Sequence, residues 1–202
     1  MNSEAERPFR TQFPHCRRLV GESRWRQFEG SCASPPGTES FYQTLEDSFG
    51  ERPFIGDLAR LERAIEEAAS IQLPARGSFE RIAVNPTLSV LDLGWRHLPS
   101  LMNDPDGAPE PQKGREFVVA YRHPESGDVI FRAAGNDDLL ALKLLADEIP
   151  RKQAAEEAGI PPAALDQAVD RAVGTGLLIA PPSAIRRRDR KSTRLNSSHV
   201  SQ

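Results

Sequence analysis

Apolar residues recur at helical intervals through the first third of the chain. Phe13, Cys16, Leu19 and Val20 are followed by Gly21, and Trp25 and Phe28 then resume the apolar face. That spacing predicts two short helices with a break between them. Pro35, Pro36 and Gly37 mark a turn, after which Thr38 or Ser40 can cap a helix carrying Phe41, Leu45 and Phe49. Phe54, Leu58, Leu61, Ile65 and Ala68 then step by four, three, four and three, the stripe of an amphipathic helix. With 100° per residue, Glu62 falls about 80° from the centre of that stripe and Asp57 about 60° on its other side, while Arg63 points away from it. Asp57 and Arg60, three residues apart, can pair along the surface. An acid/base dyad needs carboxylates that converge in a cleft. These two flank a packing face, so the expectation is a structural role.

The period changes in the second half. Thr87–Trp95 reads as a strand with a bend. Residues 103–115 hold three prolines and two glycines, the composition of a flexible loop. Residues 116–122 and 128–134 are β-prone runs joined by a turn, a hairpin. Asn136 or Asp137 can cap a helix bearing Leu139, Leu140, Leu142, Leu144 and Leu145 that stops before Pro150. A short helix over 151–158 ends at Gly159. Pro161 and Pro162 open a third helix, with Leu165, Val169 and Val173 on one face. Gly174–Pro181 closes with a short strand. Hairpin, three helices and a returning strand form a winged-helix-like order. The expected fold class is therefore α+β: an N-terminal helical bundle domain over 1–73, a small winged-helix-like domain over 74–185 and a basic tail over 186–202.

The 202 residues carry a formal net charge of −3, and this value conceals an asymmetry. Setting aside the six basic residues and one acid of 186–202 from totals of 26 and 29 leaves a net of −8. An acidic body weighs against general affinity for phosphate backbones. The ending KSTRLNSSHVSQ has the look of a translated adaptor, so Lys191–Gln202 is expected to be non-native. No apolar run approaches the roughly 20 residues that span a bilayer, and MNSEAERPFR has no apolar signal core. Cys16 and Cys32 form no CxxC pair, and the expected compartment is the cytoplasm.

Catalytic signatures do not emerge. His15, His97, His123 and His199 are scattered, and no zinc-protease HExxH, GxSxG or phosphate-binding glycine loop is present. Residues 152–178 read like a helix-turn-helix core, with Ala154, Ala155 and Gly159 where helices approach closely. A DNA reader places Arg, Lys, Asn or Gln at the start of its recognition helix. Here that region offers Ala163, Ala164, Leu165, Asp166, Gln167 and Asp170, leaving Gln167 and Arg171 as useful donors. A helix-turn-helix DNA-binding regulator is the alternative reading, and a basic face of Arg7, Arg10, Arg17, Arg18, Arg24 and Arg26 beside Trp25 would serve it.

Phe13-Pro14, Leu19, Gly21, Pro35-Pro36, Leu45 and the block Pro53, Phe54, Asp57, Leu58, Ala59, Arg60, Leu61 and Glu62 together resemble the HvfC/BufC family of peptide-modification chaperones. The N-terminal region of that family has also been labelled a DNA-binding domain. The similarity runs over roughly residues 9–182. Gly56 stands where the family usually has alanine, and Arg63 where tryptophan is common. The family's leading helix is missing before Phe13-Pro14, so the chain is expected to be truncated at its start. The resemblance implies a non-catalytic accessory protein without a cofactor of its own. Its implied partners are a ribosomally made precursor peptide and a barrel-fold multinuclear non-haem iron oxidative enzyme that modifies cysteines. It implies a leader-recognition-like use of the winged-helix module. On this reading Asp57, Arg60, Glu62 and Arg63 organise the partner-binding face. An extended peptide adds to the strand Val129, Ile130, Phe131, Arg132 and Ala133, framed by the Pro162–Val173 helix with Gln167 and Arg171.

Overall fold

The computed structural model describes residues 12–73, 79–146 and 149–181. In chain order the elements are α1 (Pro14–Val20), α2 (Glu22–Ser31), α3 (Glu39–Ser48), α4 (Ile55–Ser70), β1 (Ala83–Val84), β2 (Ser89–Arg96), α5 (Leu98–Asn103), β3 (Gln112–Arg122), β4 (Val129–Ala133), α6 (Asn136–Ala146), α7 (Arg151–Ala158), α8 (Pro162–Gly174) and β5 (Leu178–Ile179). The chain is α+β, as its two periodicities predict. It divides into two compact units, each described in turn.

The first unit comprises the residues up to Ile71 with Ser89–Tyr121 and Asp128–Ala134. Its helices form where the apolar spacing places them. Gly21, at φ +86°, separates α1 from α2 in a backbone conformation that L side chains rarely adopt. The Thr38 side chain accepts the Phe41 N–H and caps α3. Aromatic rings knit the helices together: Phe13 lies 5.1 Å from Phe41, Phe28 5.8 Å from Phe41 and 5.5 Å from Phe49, and Trp25 5.6 Å from Phe28. Such pairs add about 0.5–1.5 kcal/mol each beyond the area they bury. Leu58 and Leu61 of α4 complete this core, and so do Leu93, Leu98, Met102 and Val118 from the second half of the chain.

The sheet of this unit has the order β2-β3-β4. β2 pairs antiparallel with β3, Val90 opposite Val119 and Asp92 opposite Phe117, until the register shifts between Leu93 and Trp95. That irregularity, at Gly94, is the bend expected in the Thr87–Trp95 strand.

The second unit comprises Gln72–Leu88, Arg122–Gly127 and the chain from Gly135 onward. α6, α7 and α8 bury Ala141, Leu144, Ala154, Ala155, Leu165, Ala168, Val169 and Ala172. Small residues at several of these positions allow close helix contact. Gly159 ends α7 at φ +65°, and Ile160 N–H bonds back to the Ala155 carbonyl. Pro162 opens α8. β5 pairs antiparallel with β1, Val84 opposite Leu178.

Three expectations change. The division into 1–73 and 74–185 is replaced by units that interleave along the chain, because the apolar face of β2 and β3 is needed to close the core begun by α1–α4. The returning strand β5 pairs with β1, a two-residue strand too short to leave a periodic signal, whereas the hairpin strands belong to the sheet of β2. The loop expected over 103–115 ends earlier: Gln112 and Lys113 already pair with Arg96 and Trp95. The tail 186–202 lies outside the described residues.

Candidate functional site

Asp57 and Glu62 of α4 are buried and engaged within the first unit. Asp57 Oδ2 accepts the Gly94 backbone N–H at 2.7 Å, and its Oδ1 accepts Arg60 Nη1 at 2.8 Å. The bend in β2 explains the first contact. It takes Gly94 out of register with β3, and the carboxylate receives the N–H. Glu62, on the opposite flank of the stripe, turns to α1. Its Oε1 accepts the His15 backbone N–H at 2.7 Å and contacts His15 Nδ1 at 3.0 Å, and its Oε2 accepts the Cys16 N–H at 3.1 Å. Glu62 thereby satisfies donors of a helix whose Phe13 cap position supplies no side-chain bond. The two carboxylates serve different elements.

Arg60 is the hub of the α3–α4 seam. Beyond Asp57 it reaches Glu39 through Nη2 and Glu46 through Nη1 at 3.4 Å, and its guanidinium lies 4.8 Å from the centre of the Tyr42 ring. Burial pushes the Glu46 carboxyl above its ordinary range. Arg60 draws it part of the way back, and Asp57 and Glu39 push it up again. Gly56 permits this seam: a Cβ there would stand 2.2 Å from Glu46 Oε1. Arg63 is half-buried, bonding Glu67 at 2.8 Å and Glu66 at 3.4 Å, and it passes over Gly37. Of the four residues expected on a partner face, Arg63 retains the most surface, while Asp57 and Glu62 present almost none.

Val129–Ala133 forms β4, at the edge of the three-stranded sheet among the described residues. Phe131 leans on the core of the first unit. Beyond the strand's end, Ala134 N–H donates to the Phe117 carbonyl of β3. Alternation along an antiparallel pair then aims the Ala133 N–H and carbonyl outward. The Arg132 guanidinium bonds the Ala133 carbonyl at 3.1 Å, consistent with that direction. Gln167 is exposed on α8, and Arg171 bonds Asp137 of α6. β4 belongs to the first unit and α8 to the second.

The arginines expected on a basic face are paired with acids. Arg17 and Arg26 both bond Glu22, Arg24 bonds Glu51, and Arg18 bonds Asp106 at 3.4 Å. Arg7 and Arg10 lie outside the described residues. Among the described residues no three His, Cys, Asp or Glu side chains group to hold a metal ion, and no helix is long and apolar enough to cross a membrane. Cys16 is fully buried, and burial raises its thiol pKa well above the ordinary value, with Glu62 adding to the effect.

Sequence reasoning missed Asn85 and Thr87. In the second unit, Asn85 Nδ2 donates to the Arg122 carbonyl at 2.9 Å and the Gly176 carbonyl at 2.8 Å. Its Oδ1 accepts from Thr87 N–H at 3.0 Å and Thr87 Oγ1 at 2.8 Å, and Thr87 Oγ1 accepts the Arg122 N–H at 2.8 Å. The signal was an Asn-Pro-Thr sequence that resembles an ordinary turn.

Comparison with known proteins adds no identity: no family model matches the chain, and neither does any curated protein.

Proposed function

We propose that the chain is a non-catalytic accessory protein that grips an extended precursor peptide and presents it to a barrel-fold multinuclear non-haem iron oxidative enzyme. The observation that carries this reading is β4, an edge strand whose Ala133 backbone groups are directed away from β3. A strand of peptide added there gains main-chain hydrogen bonds, and neighbouring side chains select among sequences. The engagement of Asp57 and Glu62 in internal bonds supports a scaffold more readily than proton transfer. The second unit, with α6–α8 and the β1–β5 pair, is read as winged-helix-like and suited to protein contact, since α8 exposes Asp166 and Asp170 beside Gln167. The iron belongs to the partner.

The test is titration of a fluorescently labelled leader peptide against the native chain and Ala133→Pro, with co-purification of the iron enzyme measured in parallel. The proline removes an outward N–H while sparing the bonds from β4 to β3. Affinity should fall at least tenfold with far-UV circular dichroism unchanged; equal affinity would reject β4 as the binding edge.

A further inference from the structure

The α3–α4 seam gathers three carboxylates, Glu39, Glu46 and Asp57, around one guanidinium. Arg60 does not divide itself evenly. Its Nη1 lies 2.8 Å from Asp57 and 3.4 Å from Glu46, while Nη2 goes to Glu39. Asp57 also has the Gly94 N–H, and Glu39 is largely exposed to water. Glu46 has neither form of support. Its side chain is 29% exposed, and it sits against Gly56 so closely that not even a methyl group fits between them. The charged groups that act on it are Arg60 and Asp57 from α4 and Glu39 from α3 itself, two acids against one base.

We propose that this seam is an acid-responsive joint, in which Glu46 takes up a proton on mild acidification and the packing of α3 on α4 tightens. A neutral carboxyl removes a poorly compensated charge from the helix contact. It also leaves Arg60 to Asp57 and Glu39. The upward push on the Glu46 carboxyl agrees in direction. A carboxyl held above its unfolded value contributes stability that is full below that unfolded value and is lost as pH rises through the folded one. The window therefore opens above the ordinary glutamate range. Glu22, Glu51 and Asp92 are held low by arginine partners, so their contributions fade in the opposite sense and at lower pH. The joint therefore responds ahead of these three carboxylates as a neutral solution is acidified.

The experiment compares the full chain with Glu46→Gln by thermal unfolding from about pH 7 to pH 4, and follows the Glu46 side-chain carboxyl by carbon NMR over the same range. Glutamine keeps the shape and an acceptor for Arg60 but has no charge to lose. It should raise the unfolding midpoint at pH 7, with the advantage shrinking to nothing near pH 4. The Glu46 resonance should titrate above free glutamate. A variant no more stable than the native chain at pH 7, or a resonance that titrates at or below free glutamate, would overturn the proposal.

Discussion

The Gly94 backbone N–H and the Asp57 carboxylate meet at 2.7 Å across 37 residues of sequence, fastening the bend of β2 to α4. Asp57 is only 7% exposed and also holds Arg60. Asp57→Ala leaves the Gly94 N–H without its acceptor and a half-buried guanidinium without one of its partners. The expected loss is about 2–4 kcal/mol by urea unfolding. Asp57→Asn keeps an acceptor for one of the two donors, so its loss should be about half as large.

Glu62 makes a sharper local prediction. Its two oxygens serve the His15 N–H, the His15 ring and the Cys16 N–H. Glu62→Gln retains one acceptor and turns an NH2 group toward donors, at a cost of about 1–3 kcal/mol. The charge favourable to the start of α1 also disappears. Hydrogen exchange read by mass spectrometry should show α1 amides exchanging faster while those of α4 keep their protection. Uniform acceleration through both helices would mean that Glu62 supports the whole unit instead of docking α1.

How far the sequence could be read depends on the range over which each interaction acts. The α4 stripe, the Thr38 cap, the Gly159 stop and Pro162 at the start of α8 are local, set by residues within one or two turns, and all were legible. The pairing of Asp57 with Arg60 was legible for the same reason. The burial of both acids was not, because Gly94 and the α1 amides approach only when distant segments pack. β1 has two residues and α5 has six, too few for a period. The hairpin reads alike whichever sheet it joins; Leu93 and Val118, buried in the helical core, decide that question.

The two thiols should differ in reactivity. Cys16 is inaccessible, and its pKa is raised by burial, so little thiolate is present and little of it can be reached. Cys32 is half-buried. Mild treatment with an aromatic disulfide reagent at about pH 8 should label Cys32 first. Cys16 should follow only as fast as the first unit opens, and Glu62→Gln should accelerate it. Equal rates for both in the native chain would contradict the burial of Cys16.

Asn85 offers the most discriminating substitution in the second unit. Its amide nitrogen faces two carbonyl oxygens, at 2.9 and 2.8 Å, and its oxygen faces two donors from Thr87. The residue is 1% exposed, so water cannot repair a mismatch. Asn85→Asp keeps the shape but sets a carboxylate oxygen against the Arg122 and Gly176 carbonyls, at an expected cost of about 3–5 kcal/mol at neutral pH. Protonation restores one donor, so burial and repulsion must raise the folded-state pKa of the new carboxyl above its unfolded value near 3.9. By linkage the deficit is smallest below that unfolded value and grows as pH rises through the folded one. Urea unfolding at about pH 4 and pH 7 should therefore show native chain and variant diverging with pH. A deficit independent of pH would mean that shape, not donor direction, is what Asn85 contributes.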